Sequence, residues 1–206
     1  MAVAQDQAGA DYIDLNIGPA RKAGDELMTW VVKTVREVTQ KPLCLDTTNP
    51  RAAEAALSRF PEKALLNGLT GEQPRLEAFV PLARSYGCGV IALCMDERGL
   101  PPDAEGALAV AHNIVEYLTK AGIALENIYL DAALRPISVD GEAGVRLLNA
   151  AALLKEHFPP AHIVAGLSNI SFGLPARSWI NRTFGVLALC HGVDTFILDP
   201  CDRKLM

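Results

Sequence analysis

The sequence predicts an α/β fold of the (β/α)₈ barrel class, on three observations. Seven short apolar runs rich in β-formers alternate with helix-patterned stretches. Most are nearly uninterrupted in apolar character, as in strands buried on both faces of a helix-covered parallel sheet. Each run also carries a polar residue near its end, namely Asp14, Asp46, Asn67, Asp96, Asp131, Asn169 and Asp199, at a mean spacing of about 31 residues, the size of a strand–helix unit. An open doubly wound sheet would satisfy the first two observations. Polar residues at the carboxyl ends of many strands favour the barrel, where all strand ends share one pocket.

The strand candidates are Tyr12–Gly18, Leu43–Thr48, Ala64–Thr70, Gly89–Asp96, Ile128–Ala133, His162–Asn169 and Asp194–Pro200. Between them, Leu76, Phe79, Val80 and Ala83 place an apolar face on a helix over Glu72–Tyr86. Leu108, Ala111, Val115 and Leu118 do the same over Asp103–Lys120. Asp25–Gln40 and Gly141–Phe158 follow this pattern, and Pro50 and Pro101–Pro102 stand at helix starts. A barrel has eight strands and typically ~250 residues. Here 206 residues supply seven strands. The chain opens on what reads as a helix tail, Val3–Ala10, and stops where a helix would begin, Cys201–Met206. The expectation is therefore one barrel domain over 1–206, lacking its first strand–helix unit and last helix. An open seven-stranded sheet, or a strand supplied by another subunit, is the alternative.

Composition narrows the function classes. With 50% hydrophobic and 21% charged residues the chain is globular. A net charge of −5 and a pI near 5.4 exclude a chain-wide electrostatic grip on nucleic acid, and no local basic patch offsets this. The longest apolar stretches, such as Val90–Met95, are too short to span a membrane. Met1–Ala10 has neither the basic start nor the apolar run of a signal peptide. Five scattered cysteines without a C-x-x-C pair point to a reducing cytoplasm.

Several motif matches carry no chemistry. The G-x-G-x-x-A at Gly87–Ala92 precedes a strand, whereas a dinucleotide site needs it after one. His112, His157, His162 and His191 are dispersed and form no metal-ligand spacing with cysteine. Gly166-Leu167-Ser168 lacks the second glycine of a nucleophile elbow. The informative set is Asp46, Asn67, Asp131 and Asn169, each near the carboxyl end of a different strand. Two carboxylates and two amides suit a flat heterocycle with adjacent N–H donors. A carboxylate accepts two parallel hydrogen bonds from such an edge, and an amide reads the remaining heteroatoms. Helix capping explains any one of them, but not all four together.

The segments Cys44–Pro50 (CLDTTNP), Asn67–Glu72 (NGLTGE), Tyr129–Leu134 (YLDAAL), Gly166–Arg177 (GLSNISFGLPAR), Ile180–Phe184 (INRTF) and Gly192–Pro200 (GVDTFILDP) resemble the pterin-binding methyltransferases. These are the methyltetrahydrofolate:corrinoid protein methyltransferases and the folate domain of cobalamin-dependent methionine synthase. The resemblance runs in the same order over nearly the whole chain and is most specific in Gly166–Arg177. It implies a (β/α)₈ barrel, usually a homodimer, that moves the methyl group of 5-methyltetrahydrofolate to cob(I)alamin on a partner corrinoid protein. By this resemblance Asp46, Asn67 and Asp131 bond the pterin ring, and Asn169 approaches the methyl-bearing nitrogen as the catalytic residue. Ser168 is its neighbour at the ligand, and Arg177 contacts the anionic benzoyl-glutamate tail. Asp14 and Asn16 match an acidic/amide pair that is structural or one step removed from the ligand. No metal site of the chain's own is implied.

The chain departs from the family in three respects. The family's first strand, with a Glu-Arg-Ile-Asn-type segment, and its terminal helix are expected to be missing, and Phe172 stands where some corrinoid/iron–sulfur-protein methyltransferases have Gln. Dihydropteroate synthase is the alternative with the same barrel and pterin pocket. That family has a basic Ser-Arg-Lys-type segment where this chain has Ser168–Ser171, and an Arg-x-His near Leu198–Pro200. A catalytically inactive pterin-binding fragment is the other alternative.

Overall fold

The computed structural model describes residues 1–18, 23–60 and 64–206. In chain order the elements are α1 (Ala2–Gln7), β1 (Ile13–Asn16), α2 (Gly24–Arg36), β2 (Leu43–Asp46), α3 (Pro50–Leu57), β3 (Leu65–Thr70) and α4 (Gln73–Tyr86). They continue with β4 (Gly89–Leu93), α5 (Ala104–Lys120), β5 (Ile128–Asp131), α6 (Ala143–His157), β6 (His162–Gly166), α7 (Arg177–Cys190) and β7 (Thr195–Ile197). Local chemistry sets several boundaries. Asn49 caps α3 by accepting from the N–H groups of Arg51 and Ala52, with Pro50 as the first helical residue. Asp103 caps α5 through the Gly106 N–H at 2.8 Å. Gly87, in the left-handed region at φ 63°, ends α4.

The seven strands form one parallel sheet in chain order, β1 through β7, curved into a nearly closed barrel. Among the described residues β1 and β7 do not pair; they face each other across a cavity of about 440 Å³ that both line. Two apolar layers result. Outward-facing strand residues such as Leu45, Leu66, Ile128, Leu130 and Ile163 pack under the helices with Val32, Leu57, Ile114 and Leu154. Burying each of these side chains contributes roughly 1.5–3 kcal/mol. Inward-facing Cys44, Leu65, Ile91 and Val164 fill the barrel against Tyr12, Tyr129 and Ile197. The strands are shorter than the sequence runs suggest. Asn169 lies on a single 3₁₀ turn after β6, and Asp96 and Asp199 lie past β4 and β7, because the following loops claim their backbone hydrogen bonds. Residues 201–206 form turns.

Register brings site residues together. Asn16, Asp46 and Asn67 are successive partners across β1, β2 and β3. Directly after Asn67 the β3–β4 register shifts, and Gly68 takes φ 109°. A Cβ there would come within 2.8 Å of the Thr47 carbonyl oxygen. Gly68→Ala is therefore expected to destabilise the fold by about 1–3 kcal/mol, through forbidden backbone and backbone contact. A urea melt checks this; an unchanged midpoint would show that the bulge relaxes without cost.

Candidate active site

At the carboxyl end of the barrel a cavity of about 580 Å³ is lined by Asp46, Asn67, Asp131, Ser168 and Asn169. They come from β2, β3, β5 and the turn after β6, so the structure gathers the four sequence-nominated residues, and Ser168, at one opening. Ile91, Leu93 and Ile197 give it an apolar floor, and Ile91 and Ile197 also bound the 440 Å³ cavity below. An apolar slot with a few convergent polar groups is the usual form of a small-molecule site.

Each polar group has a distinct support. Asn16 Nδ2 donates to Asp46 Oδ2 at 2.6 Å, while its own Oδ1 accepts from the Gly18 N–H at 2.7 Å. The amide thus orients the carboxylate and lies behind it. Asp131 Oδ1 accepts from the Ala133 N–H at 2.8 Å, which holds Ala133 at φ 63°. Withdrawal from water raises the Asp131 pKa to about 6 against that hydrogen bond. The neighbouring Cys94 thiol is pushed up by burial and by the Asp131 charge. Asn169 Nδ2 stands over Gly166, where an added Cβ would lie 3.0 Å away.

Other nominated residues lie elsewhere. Asp14 lines the lower cavity beside Cys44. Although its surface is open at the seam, desolvation by the barrel wall lifts its pKa to about 6, with a smaller push from Asp46 and an opposing bond to Cys44. Arg177 does not line the upper cavity; its Nη2 donates to the Ser168 carbonyl at 2.8 Å and its Nε to Ser171 Oγ at 3.0 Å. Of the remaining strand-end acids, Asp96 is held by Arg98 at 2.7 Å and Asp199 caps the Cys201 N–H at 3.0 Å.

The cavity also has members the sequence did not single out: Thr48, Thr70, Glu72, Arg75 and Met95. Arg75, on the first turn of α4, donates from Nη1 to the Thr48 carbonyl at 2.8 Å and lies 5.7 Å from the Phe79 ring centroid. It is the cation among the lining residues. Its signal in the sequence is a basic residue on the first turn of the helix that follows a site strand.

Comparison with known proteins places the chain. The family model described as "Pterin binding enzyme" matches residues 1–199. Methylcorrinoid:tetrahydrofolate methyltransferase of Eubacterium limosum is 30% identical over 207 aligned residues, which cover 100% of this chain and 76% of that protein. Methionine synthase of Mycobacterium leprae is 28% identical over 88% of this chain, a match spanning 16% of that larger protein. Among solved structures, dihydropteroate synthase from Thermus thermophilus in complex with 6HMPPP superposes with TM-score 0.75 at 23% identity, over 98% of this chain and 83% of that one. A second structure of that synthase gives TM-score 0.76 at 22% identity, over 99% and 82%. At these identities the structural likeness establishes the barrel fold.

Proposed function

The chain belongs to the pterin binding enzyme family, and from that membership we propose that the 580 Å³ cavity binds the pterin of 5-methyltetrahydrofolate for methyl transfer to a corrinoid. The observation that carries the reading is the convergence of Asp46, Asn67, Asp131 and Asn169 on one cavity. The match to the methylcorrinoid:tetrahydrofolate methyltransferase across the full chain supports it. The synthase alternative rests on fold likeness alone and on a pocket that both chemistries share.

The donor set fits the ligand. A pterin presents an amino group and a ring N–H side by side, and one carboxylate can accept from both. We assign that task to Asp131, which is ionised at neutral pH with its pKa near 6, and assign Asp46 and Asn67 to the remaining ring heteroatoms. Asn16 holds Asp46 in orientation. The reduced cobalt of cob(I)alamin, carried by a partner corrinoid protein, supplies the nucleophile. A tertiary amine that loses a methyl cation equivalent leaves as an anion unless its nitrogen takes up a proton, which solvent water at the open cavity supplies. Asn169, on the turn after β6, donates or relays a hydrogen bond to that nitrogen, and the bond strengthens as charge develops. A ring seated on the apolar floor of Ile91, Leu93 and Ile197 would displace water from these groups and so strengthen their interactions.

We assign the carboxylates of the glutamate tail to Arg75, the cation in the cavity lining. Arg75→Met is expected to weaken methyltetrahydrofolate binding by ~10-fold, the scale of one charge-assisted contact, and to leave a tail-less tetrahydropterin unaffected. Equal losses for both ligands in calorimetry would remove the tail contact. We also propose a homodimer in a reducing cytoplasm. Exposed Val145, Trp179, Val186 and Leu187 beside an apolar groove between α6 and α7 support the first point, and five free cysteines support the second. Among the described residues no helix is long and apolar enough to cross a membrane.

The test of this reading is a single turnover of methyltetrahydrofolate with cob(I)alamin, followed by cobalt absorbance. Methylcobalamin formation that depends on the protein is expected. Folate binding without methyl transfer would instead show an inert pterin-binding module.

A further inference from the structure

Asn169 sits on an isolated 3₁₀ turn, Leu167–Asn169, a structure with poor hydrogen-bond geometry and little stability of its own. Yet its amide must be held to a fraction of an ångström if it is to act on one nitrogen. The hold comes from outside the cavity. The guanidinium of Arg177 straddles the turn. Nη2 grips the carbonyl of Ser168, the peptide that leads into Asn169, at 2.8 Å, and Nε grips Ser171 Oγ at 3.0 Å. Ser171 is fully buried and donates in turn to Asn181 Oδ1 at 2.7 Å, one turn along α7 from Arg177. The Arg177 guanidinium also lies 5.8 Å from the Phe172 ring centroid.

Two local features run against ordinary preference and are explained by this arrangement. Arg177 is the first residue of α7, where the helix dipole disfavours a cation. The residue before it, Ala176, takes the left-handed conformation at φ 56°, which costs a non-glycine residue backbone energy. A local conflict that serves one geometry marks a site under functional constraint.

We infer that Arg177 is a positioning residue: with Ser171 and Asn181 it clamps the Ser168–Asn169 peptide and so aims the Asn169 amide at the bound ligand. The planar fork is essential, because it bonds two oxygens on either side of Asn169 at once. This inference rests on the role proposed above for Asn169.

The test uses Arg177→Met and Arg177→Lys, with two readouts. Amide hydrogen exchange reports the clamp: residues 167–172 are expected to exchange at least ~10-fold faster in both variants, with the middle of α7 unchanged. Single-turnover methyl transfer reports its consequence, an expected loss of ~10- to 100-fold with folate affinity within ~3-fold of the parent. Lysine is expected not to rescue. In an Asn169→Ala background the Arg177→Met change is expected to cost less than ~2-fold, since both act through one amide. Unchanged exchange over 167–172 overturns the clamp whatever the rates do. Equal rate losses in both backgrounds overturn its action through Asn169. A full rate for Asn169→Ala alone, with faster exchange in Arg177→Met, overturns the role of Asn169 and leaves the clamp as a purely structural device.

Discussion

Asn169→Ala is expected to slow methyl transfer by ~10²-fold or more while leaving folate affinity within about 3-fold, the signature of a donor that matters in the transition state. The reasoning starts from the leaving group. An amine nitrogen losing its methyl gains electron density, and a fixed N–H aimed at it lowers the barrier more than it stabilises the ground state. Asn169 is an exposed member of the cavity lining, on a turn past β6, with its Nδ2 directly over Gly166. Alanine removes the donor and leaves room for water, which cannot be held in the same orientation. Single-turnover rates and equilibrium titration separate the two effects. A variant that loses affinity and rate in equal measure would make Asn169 a binding residue only.

Asp131→Asn is expected to have opposite effects on stability and on binding. Burial lifts the Asp131 pKa to about 6 from the ordinary 3.8, so the folded chain holds this proton more tightly than the unfolded chain does. Stability of the ligand-free protein therefore falls as pH rises from about 4 to about 6, and the penalty is in full force at pH 7. Asparagine removes the buried charge and keeps an oxygen for the Ala133 N–H. The expected gain at pH 7 is on the order of 1–3 kcal/mol, a rise of several degrees in melting temperature. Asp14, also raised to about 6, contributes in the same pH window, so the variant flattens the pH profile of stability without abolishing it. The same substitution puts an N–H donor where the pterin presents donors, and affinity is expected to fall by about 1–3 kcal/mol. Binding by the parent protein weakens as pH drops through 6; binding by the variant stays flat. A variant that binds normally would remove Asp131 from the ligand.

These expectations rest on features of unequal visibility in the sequence. The barrel was readable because the middles of strands buried on both faces must be apolar, as Val90–Ala92 and Ile163–Ala165 are. Their polar ends were readable because a buried polar residue needs a purpose. Position alone could not separate Asp46 and Asp131 from Asp96 and Asp199. All four lie near the end of a strand run, but Arg98 two residues on claims Asp96, and a tight turn claims Asp199. The direction of Arg177 was not readable, because it depends on the left-handed conformation of Ala176, which no helix or strand preference encodes. Arg75 was hidden for a different reason. A cation early in an amphipathic helix looks like solvent-facing charge until the barrel places it over the opening. Gly68 read as part of a strand, yet its positive φ marks the bulge beside Asn67.

The most direct measurement is a crystal structure of the protein with 5-methyltetrahydrofolate bound. The pterin is expected in the 580 Å³ cavity, its amino and N–H edge on Asp131, Asp46 and Asn67 within hydrogen-bond reach, and the methyl-bearing nitrogen beside Asn169. A ligand seated instead in the lower cavity beside Asp14 and Cys44, or one that leaves Asp131 and Asn169 untouched, would contradict the proposed site.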